Sequence, residues 1–428
     1  MKTQWNLRQR GPSDGRSFRE LADSLGVSPV TVRCMCNRGV TDEESMRRYL
    51  HPDTRELHEP MLMKNMPEAV ELIRRMLSLK VNSHDGGVCR IGIASDYDCD
   101  GIFSAYVLKL GLEAQGAETY LFTPDRVTEG YGLNRRIVDD ALQKECELLI
   151  TCDNGIAALD GVRYAKEQGM RVLVTDHHEP QAELPDADVI LDPKQEGETY
   201  PFTGLCGAGV AFKLLCALEG RIVQELLPYV AIATVADVME IIDENRIIVK
   251  YGLDGIEKTT HFGLRALLRE QGIDGKKLGG GDIGFIIGPC FNSSGRISSV
   301  QDSFDVLLAH DEASAATAAA RLKELNDERK RMTDESVEKG IQILLSRYPG
   351  ASDGELDDVI LLYLQGVHES VVGLIAGKIK ERFNHPVVVF TDAHPVDGTD
   401  EELIKEIDEF CKEHNYLYYV SDSIELDG

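Results

Sequence analysis

Three aspartates, Asp96, Asp98 and Asp100, alternate in the stretch "ASDYDCDG". Further along, "TCDNG" supplies Asp153, and "RVLVTDHHEP" ends an apolar run in Asp176, His177 and His178. "TVADVM" adds Asp237 in an apolar setting. Taken singly these are weak signals, since a DxD pair is often solvated, a lone Asp often caps a helix, and adjacent histidines often lie on a surface. Their coincidence at successive strand ends is the informative feature. Clustered acids repel one another, and dry surroundings raise their pKa values. A pair of divalent cations removes that conflict. Carboxylate and imidazole donors suit Mn²⁺ or Mg²⁺, whereas thiolates would select zinc. Two such ions about 3.5–4 Å apart share a bridging carboxylate, lower the pKa of a water and stabilise a phosphoryl oxygen. The chemistry indicated is hydrolysis of a phosphoester or phosphoanhydride.

The elements that must position these groups are legible as β–α alternation from Cys89 onward. "VCRIGIASD", "ETYLFTP", "ELLITCD", "RVLVTD" and "ADVILDP" read as strands. Helices are expected over "IFSAYVLKLGLEAQG", near 134–144 and across 157–168. Continuously apolar strands alternating with helices specify an α/β fold with a parallel sheet covered on both faces. In such folds the site lies beyond the carboxyl ends of the strands, which is where the acids and histidines fall. If the segment 96–100 is extended, its alternate acids face one side together.

Four regions are expected: a helical leader over 1–80, a catalytic domain over 81–310, a connector helix over 311–348 and a smaller α/β domain over 349–428. The leader segment "SFRELADSLGVSPVTVRCMCNRG" has the cadence of a helix-turn-helix, or of a helical cap on the next domain, and the cap is favoured. The smaller domain begins with the strand "DDVILLYL", the helix "SVVGLIAGKIKERF" and the strand "PVVVFT".

The net charge of −27 over 428 residues argues against indiscriminate nucleic-acid binding. The charge is uneven, however. Residues 1–80 carry 14 Lys/Arg against 11 Asp/Glu, and residues 392–428 carry 2 against 12. Ten cysteines without CxxC spacing are expected to be reduced, mostly buried thiols. No apolar run reaches the roughly 20 residues of a membrane span, and the first residues lack a secretory signal, so a cytoplasmic location is expected.

The constellation resembles the DHH phosphoesterase superfamily, named for the triplet that stands here as Asp176-His177-His178. Within it the chain is similar to the RecJ family of 5′→3′ single-strand-specific exonucleases. "SDYDCDG" matches the family's GDYDxDG motif with Ser95 replacing glycine. "TPDRVTEGYGL", "FNSSGRI", "LNDERKRMT" and the leader "NRGVTDEESMRRYLHPD" also fit the family's pattern, and the likeness runs from about residue 5 to 391. The resemblance implies that Asp98, Asp100, Asp153, His177 and Asp237 ligate two Mn²⁺ or Mg²⁺ ions, with Asp153 as the bridge. Asp96 matches a further acid, either a ligand or a supporting group. Asp176 is implied to orient the neighbouring imidazole, and His178 to contact the scissile phosphate or act as an acid. Arg126, Asn292 and Arg296 fit a phosphate-holding role, since guanidinium can grip phosphate bidentately. Tyr131 could stack on a base or be packed internally. The implied substrate is single-stranded DNA, in repair or recombination.

The segment "VHESVVGLIAGKIKERFNHPVVVFT" resembles the start of the companion DHHA1 domain, where the family has WHxGVVG. His368 and Gly373 are retained, while Val367 replaces tryptophan and Ser370 replaces glycine. After Thr391 the likeness ends. The glycine-rich GGH motif that helps grip the strand in the family is absent, as is an OB-like domain, so a weaker hold on long DNA is expected. The acidic end is read as a partner-binding module, a regulatory cover or a divergent end of the same domain. Two rival functions follow: a phosphoesterase of short oligonucleotides, cyclic dinucleotides or nucleoside bisphosphates, and a non-catalytic scaffold in a replication or repair assembly.

Overall fold

The computed structural model describes residues 10–81, 87–347, 356, 358–392 and 418–419. Most of the acidic stretch after Asp392, with the protein-partner role assigned to it, lies outside the described residues. The chain forms two compact units. The larger takes Asn6–Gly295 and Ser299–Lys323, and the smaller takes Arg296–Ser298 and Glu324–Gly428.

The larger unit opens with three short helices, α1 (Phe18–Leu25), α2 (Pro29–Asn37) and α3 (Glu43–Leu50). Ser17 and Glu20 form a capping box at the start of α1, and Gly26 ends it in the left-handed conformation at φ 68. Ser28 then caps α2, with Pro29 at its first position. The helices close on Leu21, Val32, Met35 and Met46, and Ile242 packs against this cluster. Arg246 lies over the Tyr49 ring and donates to the Tyr49 carbonyl at 3.2 Å.

After α4 (Met66–Val81) the chain alternates: β1 (Arg90–Ser95), α5 (Cys99–Ala114), β2 (Glu118–Phe122), α6 (Arg135–Gln143), β3 (Leu148–Cys152), α7 (Leu159–Glu167), β4 (Arg171–Thr175) and β5 (Val189–Leu191). The strands form one parallel sheet in the order β2-β1-β3-β4-β5. On one face lie Ile137 and Val138 of α6 and Val162 and Ala165 of α7. On the other lie α5, α8 (Gly207–Glu219) and α9 (Leu227–Ala236), joined in the main core. Burial on both faces explains why β3 is apolar throughout apart from Thr151. The strand order reverses between β1 and β3, so a crevice opens past Ser95 and Cys152.

Two more helices, α10 (Asp243–Glu257) and α11 (Phe262–Glu270), extend the helical layer. A buried ion pair ties α8 to α10: Lys213 meets Glu244, which also accepts from Tyr200 Oη at 2.6 Å and from the His58 N–H at 2.9 Å. A π-helical turn, Ile283–Ile287, then runs into the helix Gly288–Ile297.

The long helix Glu312–Arg347 contributes to both units. In the smaller unit β6 (Ile360–Tyr363) pairs in parallel with β7 (Val387–Phe390) and β8 (Tyr418–Tyr419). The helix Glu369–Phe383 supplies Val371, Ile375 and Ile379 to a core shared with Ile341, Leu344 and Leu362. No helix among the described residues is long and apolar enough to cross a membrane. The described cysteines are free, and all but Cys34 are buried.

Candidate metal centre

β1 stops at Ser95 and α5 starts at Cys99, which makes Asp98 the N-cap of α5, accepting from the Gly101 N–H at 3.1 Å. Asp100 therefore rides on the first helical turn and not on an extended segment, which corrects the alternating picture. It turns inward for a different reason. Its carboxylate accepts from the N–H groups of Gly207 at 2.6 Å and Ala208 at 2.9 Å, at the N-terminus of α8. The Cys99 N–H donates to Asn292 Oδ1 at 2.8 Å, so a side chain from the helix Gly288–Ile297 steadies the same turn. Gly101 is required by close approach, since a Cβ there would stand 2.5 Å from the Asp96 carbonyl oxygen.

Asp153 follows β3 in the left-handed region at φ 59. The next side chain, Asn154, is buried and donates to the carbonyls of Ala94 and Cys152, each at 3.1 Å, tying the ends of β1 and β3 together. Tyr131 Oη donates to the Asp153 carbonyl at 2.8 Å. Gly207 leaves room for the acid, as a Cβ there would lie 2.7 Å from Asp153 Cβ.

At the end of β4, Asp176 is buried and collects donors. It accepts from the N–H groups of Ile156 at 2.9 Å, His177 at 2.7 Å and His178 at 3.2 Å, and lies 2.8 Å from His178 Nδ1. Burial alone would push its pKa up, but these hydrogen bonds together bring it below the ordinary aspartate value. The same contact raises the pKa of His178, whose ring is half exposed. His177 is buried, and desolvation lowers its pKa. Its Nε2 lies 3.0 Å from Asp153 Oδ1, 3.5 Å from Asp100 Oδ2 and 3.8 Å from Asp237 Oδ2. Asp237 caps the C-terminus of α9.

The carboxylates are electrostatically frustrated. Burial, with Asp98 nearby, pushes Asp96 up to about 8, and burial with Asp100 nearby pushes Asp237 to about 7. Asp98 and Asp153 are raised by the same two causes. Buried acids this close need a compensating positive charge. Within this cluster of acids and histidines, Asp96 Oδ1 and His177 Nδ1 are buried without a hydrogen-bond partner.

Three donor groups have atoms lying within 4.8 Å of one another: Asp96, Asp98 and Asp153; Asp100, His177 and Asp237; and Asp153, His177 and His178. Donors around one octahedral ion at about 2.1 Å stand roughly 3.0–4.2 Å apart. The spacing and the oxygen-rich donor set therefore fit hard divalent cations. Asp153 and His177 each occur in two groups. Only the carboxylate, with two oxygens, could serve two ions at once, since a ring nitrogen of His177 has a single lone pair and would hold one.

Around this centre Arg126 lies over the Tyr97 ring at 4.7 Å, and Tyr131 packs edge-on against His178 with 5.7 Å between ring centroids. Arg296 and His368 belong to the smaller unit, where Arg296 Nη1 donates to the Ser370 carbonyl at 2.8 Å. His368 caps the helix Glu369–Phe383, its Nδ1 lying 2.7 Å from Ser370 Oγ. One acid escaped the sequence reading. Asp192 is fully buried at the end of β5 and is pushed by burial to about 7. The rule that found Asp153, an acid at the end of a parallel strand, would have found it in "VILDP".

The profile of the DHH family, N-terminal domain, matches residues 90–235. The chain is 35% identical to the single-stranded-DNA-specific exonuclease RecJ of Bacillus subtilis over 401 residues, covering 94% of this chain and 48% of that protein. It is 33% identical to the Salmonella typhimurium protein of the same name over 419 residues, covering 93% of this chain and 68% of that one. The chain thus spans about half to two thirds of the length of these curated relatives. Among solved structures, an exonuclease RecJ bound to manganese superposes with a TM-score of 0.66 at 31% identity, over 77% of this chain and 80% of that one. RecJ from Thermus thermophilus in complex with Mn²⁺ superposes at 0.73 with 29% identity, over 90% and 53%.

Proposed function

The chain belongs to the RecJ family of DHH phosphoesterases, and on that premise we propose that it hydrolyses single-stranded DNA from the 5′ end in a reaction requiring Mn²⁺ or Mg²⁺. The observation that carries the reading is the placing of Asp153, whose carboxylate could serve two ions, with His177 at the meeting point of three ligand groups. Asp98, Asp100, Asp153, His177 and Asp237 are assigned to two cations, with Asp96 as a further ligand or support. Bound there, the ions would lower the pKa of an attacking water and offset charge on the phosphoryl oxygens.

The remaining roles fall to the chain's own groups. Asp176 holds Nδ1 of His178 and favours its protonated form, leaving Nε2 to donate to a phosphate oxygen or to the departing oxygen. Arg126, braced on Tyr97, is assigned to phosphate, and Tyr131 to a base. Asn292 has its carbonyl oxygen engaged by Cys99, so its amide N–H is the group left for phosphate. Arg296 and His368 are assigned to substrate binding. A cytoplasmic role in DNA repair or recombination follows from the substrate. The acidic stretch after Asp392 is assigned to a protein contact, since its charge would repel a phosphodiester.

The test is degradation of a 5′-labelled single strand with Mn²⁺ by the wild type and by Asp153→Ala. Rapid release of labelled mononucleotide, lost in the variant, is expected. Equal cutting of duplex, or an active Asp153→Ala, would count against the proposal. Turnover of dinucleotides alone, with longer strands untouched, would transfer the function to the short-substrate reading.

A further inference from the structure

Two irregularities of backbone meet beside one metal-ligand candidate. The helix α9 ends in a cap in which the Met239 N–H donates to the Thr234 carbonyl at 3.1 Å and the Val238 N–H to the Val235 carbonyl at 3.2 Å. The left-handed residue of such a cap is ordinarily glycine. Here it is Val238, at φ 57, immediately after Asp237. A β-branched residue in that region is a genuine outlier that costs free energy. Packing does not offset the cost, because Val238 is 86% exposed.

The second irregularity is the π-helical turn Ile283–Ile287. It packs on the same end of α9. A Cβ at Gly284 would lie 3.7 Å from Val235 Cγ1, and one at Gly288 would lie 3.0 Å from Ala236 Cβ. Ile283 and Ile287 of this turn are buried, while Phe285 is 82% exposed. A single exposed apolar side chain is ordinary on a protein surface. Val238 directly follows α9 and Phe285 stands on the turn that packs against the end of α9, so both lie on segments bordering Asp237, each on a backbone feature typical of functional sites.

We propose that Val238 and Phe285 form an apolar ledge at the mouth of the metal centre that takes a nucleobase of the bound strand. The proposal rests on the single-strand exonuclease reading and specifies how the strand is held. An aromatic face accepts any base, because every base has a π-face. The strained cap presents the Val238 side chain to solvent next to Asp237, and the π-turn presents Phe285 to solvent. Both are thereby available without tying the contact to base identity.

The test compares 5′-phosphorylated single strands carrying either natural bases or abasic sites over the first nucleotides, with Mn²⁺ present. For Phe285→Ala, kcat/KM on the natural strand is expected to fall by about 5- to 100-fold. On the abasic strand, where the wild type has already lost the contact, Phe285→Ala should match the wild type within about twofold. Val238→Gly should show the same base-dependent loss while its melting temperature holds or rises, because glycine relieves the backbone. A merely structural role would move activity and melting temperature together.

Equal losses on natural and abasic strands would overturn the ledge and assign both residues to holding Asp237. No loss on either strand would overturn it outright. If the wild type itself leaves the natural strand uncut, the exonuclease reading fails and the ledge falls with it. That outcome is distinguishable from an active wild type whose variants are indifferent to the bases.

Discussion

Oδ1 of Asp176 lies 2.8 Å from Nδ1 of His178, and the same oxygen accepts the N–H groups of His177 and His178. One buried carboxylate thus fixes both the turn that presents His177 and the ring of His178. Converting it to an amide keeps the shape but replaces acceptor capacity with a donor and removes the charge. Asp176→Asn is expected to lower kcat, or the affinity for Mn²⁺, about 10- to 100-fold. Steady-state kinetics across a Mn²⁺ titration would show it, and unchanged values for both would contradict the positioning role.

The clustered acids set a second, opposite-signed pair of effects. Without cations, Asp96, Asp98 and Asp153 repel one another in a dry pocket. Asp98→Asn is therefore expected to raise the melting temperature of the metal-stripped protein while abolishing activity. Wild type should gain about 2.7 kcal/mol of stability at a Mn²⁺ concentration 100 times its Kd. Thermal melts with chelator and with Mn²⁺ would read both. A wild-type melting temperature indifferent to Mn²⁺ would contradict the account.

The buried pair of Lys213 and Glu244 makes a prediction about stability alone. Both side chains are essentially inaccessible, and Lys213 Nζ also donates to the His58 carbonyl at 2.9 Å. Removing one charge strands the other, so Lys213→Met is expected to cost about 3–5 kcal/mol. Urea unfolding would measure it. A loss below about 1 kcal/mol would show that the pair relaxes to solvent.

His261 gives a pH dependence remote from the acids. It caps α11 by accepting the Leu264 N–H on Nδ1 at 3.1 Å, and its Nε2 lies 2.9 Å from both Tyr106 Oη and the Leu307 carbonyl. Burial lowers its pKa in the folded state. The unfolded chain then takes up the proton first. Its stabilising contribution is complete above the ordinary value of about 6.5 and is lost as pH falls through the lowered one. Melting temperature should drop faster below about pH 6.5 in the wild type than in His261→Asn, which keeps a capping acceptor without titrating. Parallel curves would rule His261 out as a contributor.

The parts of the fold visible in the sequence are those governed by short-range pattern. Parallel strands buried on both faces must be continuously apolar, so β1, β3 and β4 announce themselves, and the acids at their ends follow from the sheet rule. β5, only three residues long, is also visible as "ADVILDP", and the same rule applied to it picks out Asp192. Alternation of acids looks the same before and after a helix starts, so in the sequence Asp100 is compatible with an extended segment. Only the cap by Asp98 reveals that α5 has begun. Other features depend on partners far along the chain. Asn292 reaches Cys99 across 193 positions, and the strain at Val238 arises from a helix cap whose usual residue is glycine. Neither leaves a mark in local composition.

The central claim is a two-cation centre in which Asp153 is a shared ligand. Equilibrium Mn²⁺ binding, counted on the wild type and on Asp153→Ala alongside cleavage of a single strand, tests it most directly. The expected result is two ions per wild-type chain, with both sites weakened and cleavage lost in the variant. One ion per wild-type chain, or an Asp153→Ala protein that keeps both ions and still cleaves, would contradict it.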